Sequence, residues 1–240
     1  MRSENARAVV FDLDDTLYLE RGFVTSGFSA VQERLVSLGH PPANYAQTFL
    51  TLIEQNGSGK VFDDALAAHG IRPNPALIGD LVHTYRHHTP SLEPQPGVVT
   101  LLERLSGQGV RLGVITDGAV SIQRGKLTAL GLTSYFHTIL ATDALGPERV
   151  GWKPSTLPFI TLEESLGLSG AALTYVGDNP TKDFIGAQAR GWACARLRVP
   201  GQLHTRLKTP EGVAEVDSVA ELQALLCGPE ALSPGGRISA

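Results

Sequence analysis

The chain has 240 residues, of which 42% are hydrophobic and 18% are charged, and its formal net charge is −4. These proportions are typical of a folded globular protein and exclude a disordered chain. The negative charge argues against a protein that binds nucleic acid over a broad surface. An acidic protein that binds anionic ligands must concentrate positive charge locally, through a metal ion or a few chosen cationic side chains.

The sequence favours a cytoplasmic protein. Its two cysteines, Cys194 and Cys227, lie far apart and lack the spacing of metal ligands, which favours unpaired thiols in a reducing compartment. Residues 1–8 are polar and have no apolar core of a signal peptide. No stretch approaches the roughly 18–20 apolar residues of a membrane span, so we expect no membrane association. We expect a monomer or a homodimer.

The first predicted element is a short apolar run, residues 9–11, that leads directly into Asp12-Leu13-Asp14-Asp15-Thr16. A run of this size indicates a buried strand of a parallel sheet, although periodicity alone also permits a helical segment. Along a strand, Asp12 and Asp14 point to the same side. Two neighbouring carboxylates at a buried strand end repel each other unless a cation binds them. The pattern therefore favours a divalent metal beside a carboxylate that can act as a nucleophile.

The next segment, residues 18–95, has helical periodicity and almost no strand signal. Glycine and proline residues divide it into separate helices. The predicted helices cover residues 23–38, 45–53, 61–69 and 75–87. We expect this segment to be an all-helical insertion that begins beside the Asp12 loop.

From Pro96 onward, helices alternate with strands. The predicted strands cover residues 111–116, 138–141, 173–177 and 193–199, and the predicted helices cover residues 98–105, 121–130, 157–166, 182–190 and 219–226. This alternation implies right-handed crossovers and a doubly wound parallel sheet that includes the first strand. The predicted fold is α/β, with a Rossmann-like core (1–17 and 96–227), an inserted helical cap (18–95) and a flexible tail (228–240).

Polar segments follow three of the predicted strands: residues 12–14, 116–118 and 177–179. Because open α/β sheets bind ligands at the carboxyl ends of their strands, we expect these segments to meet at one edge. A helical insertion that begins at the same edge would lie over them as a lid.

These segments and one loop offer groups that suit a phosphate and a metal. Thr116 has a hydroxyl and Asp117-Gly118 have backbone N–H groups at a helix start, although such a tripeptide alone is more often an ordinary turn. Lys153 lies in a loop before a helix and is a point charge that suits a phosphoryl group or crowded carboxylates. Asp178 offers the hard oxygen ligand that Mg²⁺ prefers.

Four motifs stand in a fixed order along the chain. They are Asp12-x-Asp14-x-Thr16, the strand-terminal Thr116, Lys153, and Gly177-Asp178-x-x-x-x-Asp183. In order and spacing they resemble the four motifs of the haloacid dehalogenase-like superfamily, over residues 9–199. The helical insertion matches the cap placement of the type-one-cap members. Together with Gln123 and Lys126-Leu127, the segments around Thr116, Lys153 and Asp178 look like one phosphatase-like branch.

The resemblance implies a Mg²⁺-dependent phosphatase that hydrolyses a small phosphorylated metabolite, a nucleotide or a sugar phosphate, through an aspartyl-phosphate. Asp12 would attack the phosphorus. Asp14 would protonate the leaving alkoxide and then activate the water that hydrolyses the intermediate.

The resemblance also implies the binding residues. Asp12, the main-chain carbonyl of Asp14 and Asp178 would hold Mg²⁺, and Asp183 would orient Lys153 or a metal-bound water. Thr116 and Lys153, together with the Asp117-Gly118 turn, would bind the phosphoryl oxygens and offset charge in the transition state.

Asp14 distinguishes reactions within the superfamily. Dehalogenases of the family lack an acid two residues after the nucleophile, because a departing halide needs no proton, and phosphonate-cleaving relatives also lack it. Sugar-phosphate mutases keep this acid, so a phosphomutase is the alternative. A second alternative is a receiver-like phospho-acceptor domain, which has similar chemistry but is shorter and has no helical cap. A third is a catalytically silent binding module, which the intact motifs disfavour.

Several residues that directly follow the Asp12 loop are candidates for selecting the substrate. They are Tyr18, Glu20, Arg21 and Phe23. Any one of them more often serves only to pack the junction between core and cap.

Overall fold

A computed structural model describes residues 7–57 and 59–228. The chain divides into two compact units, one with the residues up to Glu20 and from Glu93 onward, and the other with Arg21–Leu92. Apart from Gly228, the predicted tail lies outside the described residues. The assignment of the units as catalytic core and cap stays a prediction. No helix in the described ranges is both long and apolar enough to cross a membrane.

A six-stranded parallel sheet forms the centre of the larger unit. Its strands are β1 (Ala8–Phe11), β2 (Arg111–Thr116), β3 (Thr138–Ala141), β4 (Leu173–Gly177), β5 (Ala193–Leu197) and β6 (Ala214–Val216). They are ordered β3-β2-β1-β4-β5-β6, and every neighbouring pair is parallel. The predicted doubly wound α/β sheet is confirmed. The sequence reading missed β6, because a strand of three residues is too short to show an alternating pattern.

The helices agree with the predicted ones, with ends that differ by three residues or fewer. They are α1 (Glu20–Ser37), α2 (Tyr45–Asn56), α3 (Val61–Ala68), α4 (Pro75–His87), α5 (Val98–Gly107), α6 (Val120–Ala129), α7 (Leu157–Leu166), α8 (Asp183–Ala189) and α9 (Val219–Cys227). In the larger unit, apolar residues of α7 and α8 pack on the sheet: Phe159 and Phe184 both contact Tyr175 of β4 edge to face. Burial of these rings contributes much of the stability of this core.

The smaller unit has an aromatic core of its own. Phe28 of α1 stacks on Phe49 of α2, with ring centroids 4.7 Å apart. Leu35, Leu66 and Leu81, from α1, α3 and α4, are buried in the same cluster. The side chain of Asn74 caps α4 by accepting a hydrogen bond from the backbone N–H of Leu77.

A buried arginine links the loop after β5 to the end of β4. Arg196 is 1% exposed, and its guanidinium donates to the carbonyl of Asp178 at 2.9 Å. It also donates to the carbonyls of His204 and Leu207, at 2.7 Å each, and to Oγ1 of Thr209 at 2.8 Å. Burial lowers the pKa of Arg196. Four acceptors therefore depend on one side chain, and one of them belongs to the backbone of a candidate metal ligand.

We predict that Arg196→Met lowers the free energy of unfolding by at least about 2 kcal/mol, because it leaves several buried acceptors without a donor. Urea unfolding followed by circular dichroism measures the change. Arg198→Met is the matched control: Arg198 is half-exposed and pairs with Glu215 and Asp217, so its removal should cost less than about 1 kcal/mol. Equal effects of the two variants would contradict the role given to Arg196.

Candidate active site

The sheet order brings three of the predicted segments together. β1 lies between β2 and β4, so the chain positions that follow these strands are neighbours. Asp12 follows β1, Thr116 ends β2 and Asp178 follows β4. The backbone N–H of Asp12 donates to the carbonyl of Val176 at 2.8 Å, which extends the pairing of β1 with β4 up to the site. The predicted meeting of these segments at one edge of the sheet is observed.

Lys153 is the buried cation of this site. Its Nζ lies 2.5 Å from Oδ1 of Asp12 and 2.8 Å from Oδ1 of Asp183, and its side chain is completely buried. It also donates to the hydroxyl of Tyr175 at 2.9 Å. Burial acts to lower the pKa of Lys153, but Asp12 and Asp183 raise it well above its usual value. Asp12 and Asp183 therefore favour the charged form of Lys153. Crowded carboxylates are one of the two partners that the sequence analysis gave for this lysine, and its contact with a phosphoryl group stays a prediction.

Three buried carboxylates form a cluster that suits a metal ion. Oxygens of Asp12, Asp178 and Asp183 lie within 4.8 Å of one another. Burial raises the pKa of Asp12 to about 7, although Lys153 opposes the shift, and burial together with Asp183 raises that of Asp178 to about 9. Burial of neighbouring carboxylates with too little positive charge nearby raises their pKa in this way.

The charge balance of the cluster fits a divalent cation. When all three carboxylates are ionised, as a bound cation requires, Lys153 compensates one of them and two negative charges remain. Oδ2 of Asp178 is buried and has no hydrogen-bond partner among the described residues. Oxygen ligands of this kind are those that Mg²⁺ binds. The residues present therefore fit the metal that the sequence predicted, and the arrangement also allows Asp183 to act as a direct ligand.

Gly177 is required for the position of Asp183. A Cβ atom at Gly177 would lie 2.6 Å from Oδ2 of Asp183, so any other residue at position 177 would displace that carboxylate. The same Oδ2 accepts the backbone N–H of Asn179 at 2.8 Å. The glycine of the fourth motif thus allows the Asp183 carboxylate to fold back under the strand end, where Lys153 binds it.

The Thr116 hydroxyl is available to a ligand. Its Oγ1 is buried and has no hydrogen-bond partner in the part of the chain that the structure describes. A buried polar atom without a partner is costly, and a phosphoryl oxygen would supply that partner.

The Asp117 carboxylate connects three loops. It accepts hydrogen bonds from the backbone N–H of Lys153 at 3.0 Å and from Oγ1 of Thr142 at 3.2 Å, and it pairs with Nζ of Lys182 at 2.8 Å. Burial acts to raise the pKa of Asp117, but Lys153 and Lys182 lower it below its usual value. The N–H of Gly118 donates to Oγ1 of Thr142. The predicted contacts of Asp117 and Gly118 with phosphate stay predictions.

Asp14 has neighbours to which the sequence analysis assigned no catalytic role. Nζ of Lys126 lies 2.6 Å from Oδ1 of Asp14, and the hydroxyl of Tyr18 donates to the same oxygen. Gln123 and Lys126 are three residues apart on α6 and are both buried. A lysine on a buried helix face indicates a paired cation, so Lys126 could have been found from the sequence. Its partner, Asp14, is known only from the fold.

The loop after Asp14 is fixed by Asp15, which has a positive φ of 55°. Aspartate tolerates this left-handed conformation better than most residues. Its carboxylate accepts the backbone N–H groups of Glu20 at 2.8 Å and of Leu203 at 2.9 Å. Asp15 therefore shapes the loop by accepting hydrogen bonds from two segments of the backbone.

Known proteins are similar to this chain in sequence. The profile of the haloacid dehalogenase-like hydrolase family matches residues 9–197. A glyceraldehyde 3-phosphate phosphatase of Methanopyrus kandleri is 31% identical over 200 residues, which cover 80% of this chain and 84% of the relative. A ribulose-1,5-bisphosphate 5-phosphatase of Halopiger xanaduensis is 30% identical over 202 residues, which cover 78% of this chain and 82% of the relative.

A solved structure agrees with the fold. The HAD family hydrolase of Deinococcus radiodurans R1, determined with bound phosphate and sodium, has a TM-score of 0.66 at 23% identity, over 97% of this chain and 100% of that chain. The profile match begins at the strand before Asp12 and ends with β5, so it includes Lys153 and all three clustered carboxylates. This chain belongs to the haloacid dehalogenase-like hydrolase family of enzymes.

Proposed function

We propose that the protein is a Mg²⁺-dependent phosphatase that hydrolyses a small phosphorylated metabolite through a phosphorylated Asp12. The observation that carries this proposal is Lys153, buried and paired with Asp12, beside a carboxylate cluster that fits a divalent cation. The relatives named as phosphatases of three- and five-carbon metabolites support the class of reaction and of substrate.

Asp12 and Asp178 would hold the metal, with the main-chain carbonyl of Asp14 as a further ligand and Asp183 close by. When bound, Mg²⁺ supplies positive charge that compensates the carboxylates and the phosphoryl oxygens. The remaining roles belong to side chains. Lys153 offsets the charge of the phosphoryl group, and the hydroxyl of Thr116 donates to one of its oxygens.

The chemistry proceeds in two halves. In the first, an oxygen of Asp12 forms a bond to phosphorus while the ester P–O bond breaks, and Asp14 gives its proton to the departing alkoxide. In the second, water attacks the phosphorus, Asp14 takes a proton from that water, and the Asp12–phosphorus bond breaks. Inorganic phosphate leaves, and both aspartates return to their starting states.

Asp14 is the reason for proposing a phosphate ester as substrate. An alkoxide is a poor leaving group and needs a proton, whereas a halide does not. An acid placed two residues after the nucleophile therefore suits phosphoryl transfer better than dehalogenation.

We predict that Asp12→Asn abolishes phosphate release, because a neutral amide is not a nucleophile for phosphorus. The assay measures inorganic phosphate from p-nitrophenyl phosphate at saturating Mg²⁺. Asp64→Asn is the control, since Asp64 is an exposed acid on α3, and it should keep the parent rate. Residual turnover by Asp12→Asn above about 1% of the parent rate would contradict Asp12 as the nucleophile.

We predict that removing divalent metal with a chelator abolishes activity and that added Mg²⁺ restores it. In Asp178→Asn, the Mg²⁺ concentration that gives half-maximal activity should rise by about tenfold or more, because one anionic ligand is lost. Titrating activity against free Mg²⁺ measures this shift. Activity that survives chelation, or an unchanged Mg²⁺ requirement in Asp178→Asn, would overturn the metal assignment.

A screen of sugar phosphates, nucleoside monophosphates and small phospho-acids identifies the substrate class. Free phosphate must form in proportion to substrate loss if the protein is a phosphatase. Conversion to an isomer in the presence of a bisphosphate activator, without free phosphate, would favour the phosphomutase instead.

A further inference from the structure

The carboxylate of Asp14 is held unevenly by its neighbours. Nζ of Lys126 is 2.6 Å from Oδ1, and the hydroxyl of Tyr18 donates to that same oxygen. The other oxygen, Oδ2, has one long contact in the described structure, from Nε2 of Gln123 at 3.5 Å. Two strong donors therefore bind one oxygen, while the second oxygen is bound weakly.

These donors are fixed by the local fold. Gln123 and Lys126 lie on the same face of α6 because three residues separate them along the helix. Nε2 of Gln123 also donates to the carbonyl of Asp117 at 2.6 Å, which orients its amide. Tyr18 is held beside Asp14 by a parallel backbone bridge between the two residues.

Both donors to Oδ1 of Asp14 are buried. The side chain of Lys126 is 5% exposed, and a lysine is rarely buried to this degree unless it is paired. The pair with Asp14 therefore compensates the cost of removing the Lys126 ammonium from water. Tyr18 is also buried, at 1% exposure, so its hydroxyl needs the partner that Asp14 provides.

We propose that Lys126 and Tyr18 are positioning residues that bind Oδ1 of Asp14 and so assign Oδ2 as the oxygen that exchanges protons with the leaving group and with water. This inference rests on the proposed phosphatase function. A carboxyl group rotates about its Cβ–Cγ bond, and the two oxygens become equivalent when nothing distinguishes them. The contacts of Lys126 and Tyr18 with Oδ1 oppose this rotation and hold Oδ2 in one direction.

The proton transfers are then confined to one atom. In the first half-reaction, the proton on Oδ2 moves to the alkoxide oxygen as the ester P–O bond breaks, which yields the alcohol. In the second, a proton of the attacking water moves to Oδ2 as the bond between Asp12 and phosphorus breaks. Lys126 and Tyr18 keep their own protons throughout.

Comparing two substrates tests the inference. An alkyl phosphate has an alkoxide leaving group that needs a proton, whereas p-nitrophenolate leaves with little assistance. In Lys126→Met, we expect kcat/KM for the best alkyl phosphate from the screen to fall at least about tenfold more than kcat/KM for p-nitrophenyl phosphate. Arg124→Met removes an exposed cation from the same helix and should change neither value.

Two further variants separate positioning from stability. Tyr18→Phe should show the same preferential loss on the alkyl substrate, and it replaces Lys126→Met if the latter does not fold. In the Asp14→Asn background, Lys126→Met should not change the remaining rate on the aryl substrate, since Lys126 acts through Asp14. Equal losses on both substrates, or a further loss in the Asp14→Asn background, would overturn the inference.

The outcomes also distinguish this inference from the proposed function. If the parent protein hydrolyses neither substrate at saturating Mg²⁺, the phosphatase proposal fails. If the parent hydrolyses both and the variants show no dependence on the leaving group, the roles of Lys126 and Tyr18 fail while the phosphatase proposal stands.

Discussion

The ion pair of Lys153 with Asp12 and Asp183 is the interaction on which the rest of the site depends. Three carboxylates lie within 4.8 Å of one another in a buried position, where their mutual repulsion is strong. Lys153 compensates part of that charge from a side chain that is itself completely buried. Without it, two buried carboxylates would lose their cation, a loss that typically costs several kcal/mol.

The surrounding loops hold that lysine in place. Asp117 accepts the backbone N–H of Lys153 and also binds Lys182, so the loops after β2, before α7 and after β4 are joined at one carboxylate. Arg196 then fixes the backbone of Asp178 from the other side of β4. The charged groups of the site thus bind one another and connect the loops that carry them.

The sequence predicted the sheet and the central residues because both depend on local pattern. β1, β2 and β4 are buried apolar runs that end in polar residues, and parallel strands must place those ends together. The strand ends therefore sufficed to expect Asp12, Thr116 and Asp178 at one site, and the resemblance to the superfamily added Lys153. β6 was missed because three residues, with Glu215 exposed in the middle, carry no recognisable period.

The missed interactions are those that depend on how separate elements approach each other. Lys126 lies 112 residues from Asp14 along the chain, and no local pattern predicts that α6 brings them together. Likewise, no local pattern predicts that the carboxylate of Asp117 binds the backbone N–H of Lys153 and the ammonium of Lys182. A motif identifies which residues take part, but the partners of each side chain are set by packing.

The central claim is that Asp12 accepts the phosphoryl group. Acid quenching during steady-state turnover, followed by peptide mass spectrometry, tests it directly. The account predicts a peptide that carries one phosphoryl group on Asp12, labile to hydroxylamine as an acyl phosphate must be, and absent from Asp12→Asn. Two results would contradict it. One is release of phosphate by the parent protein with the phosphoryl group on a residue other than Asp12. The other is a phosphorylated Asp12 that is never hydrolysed.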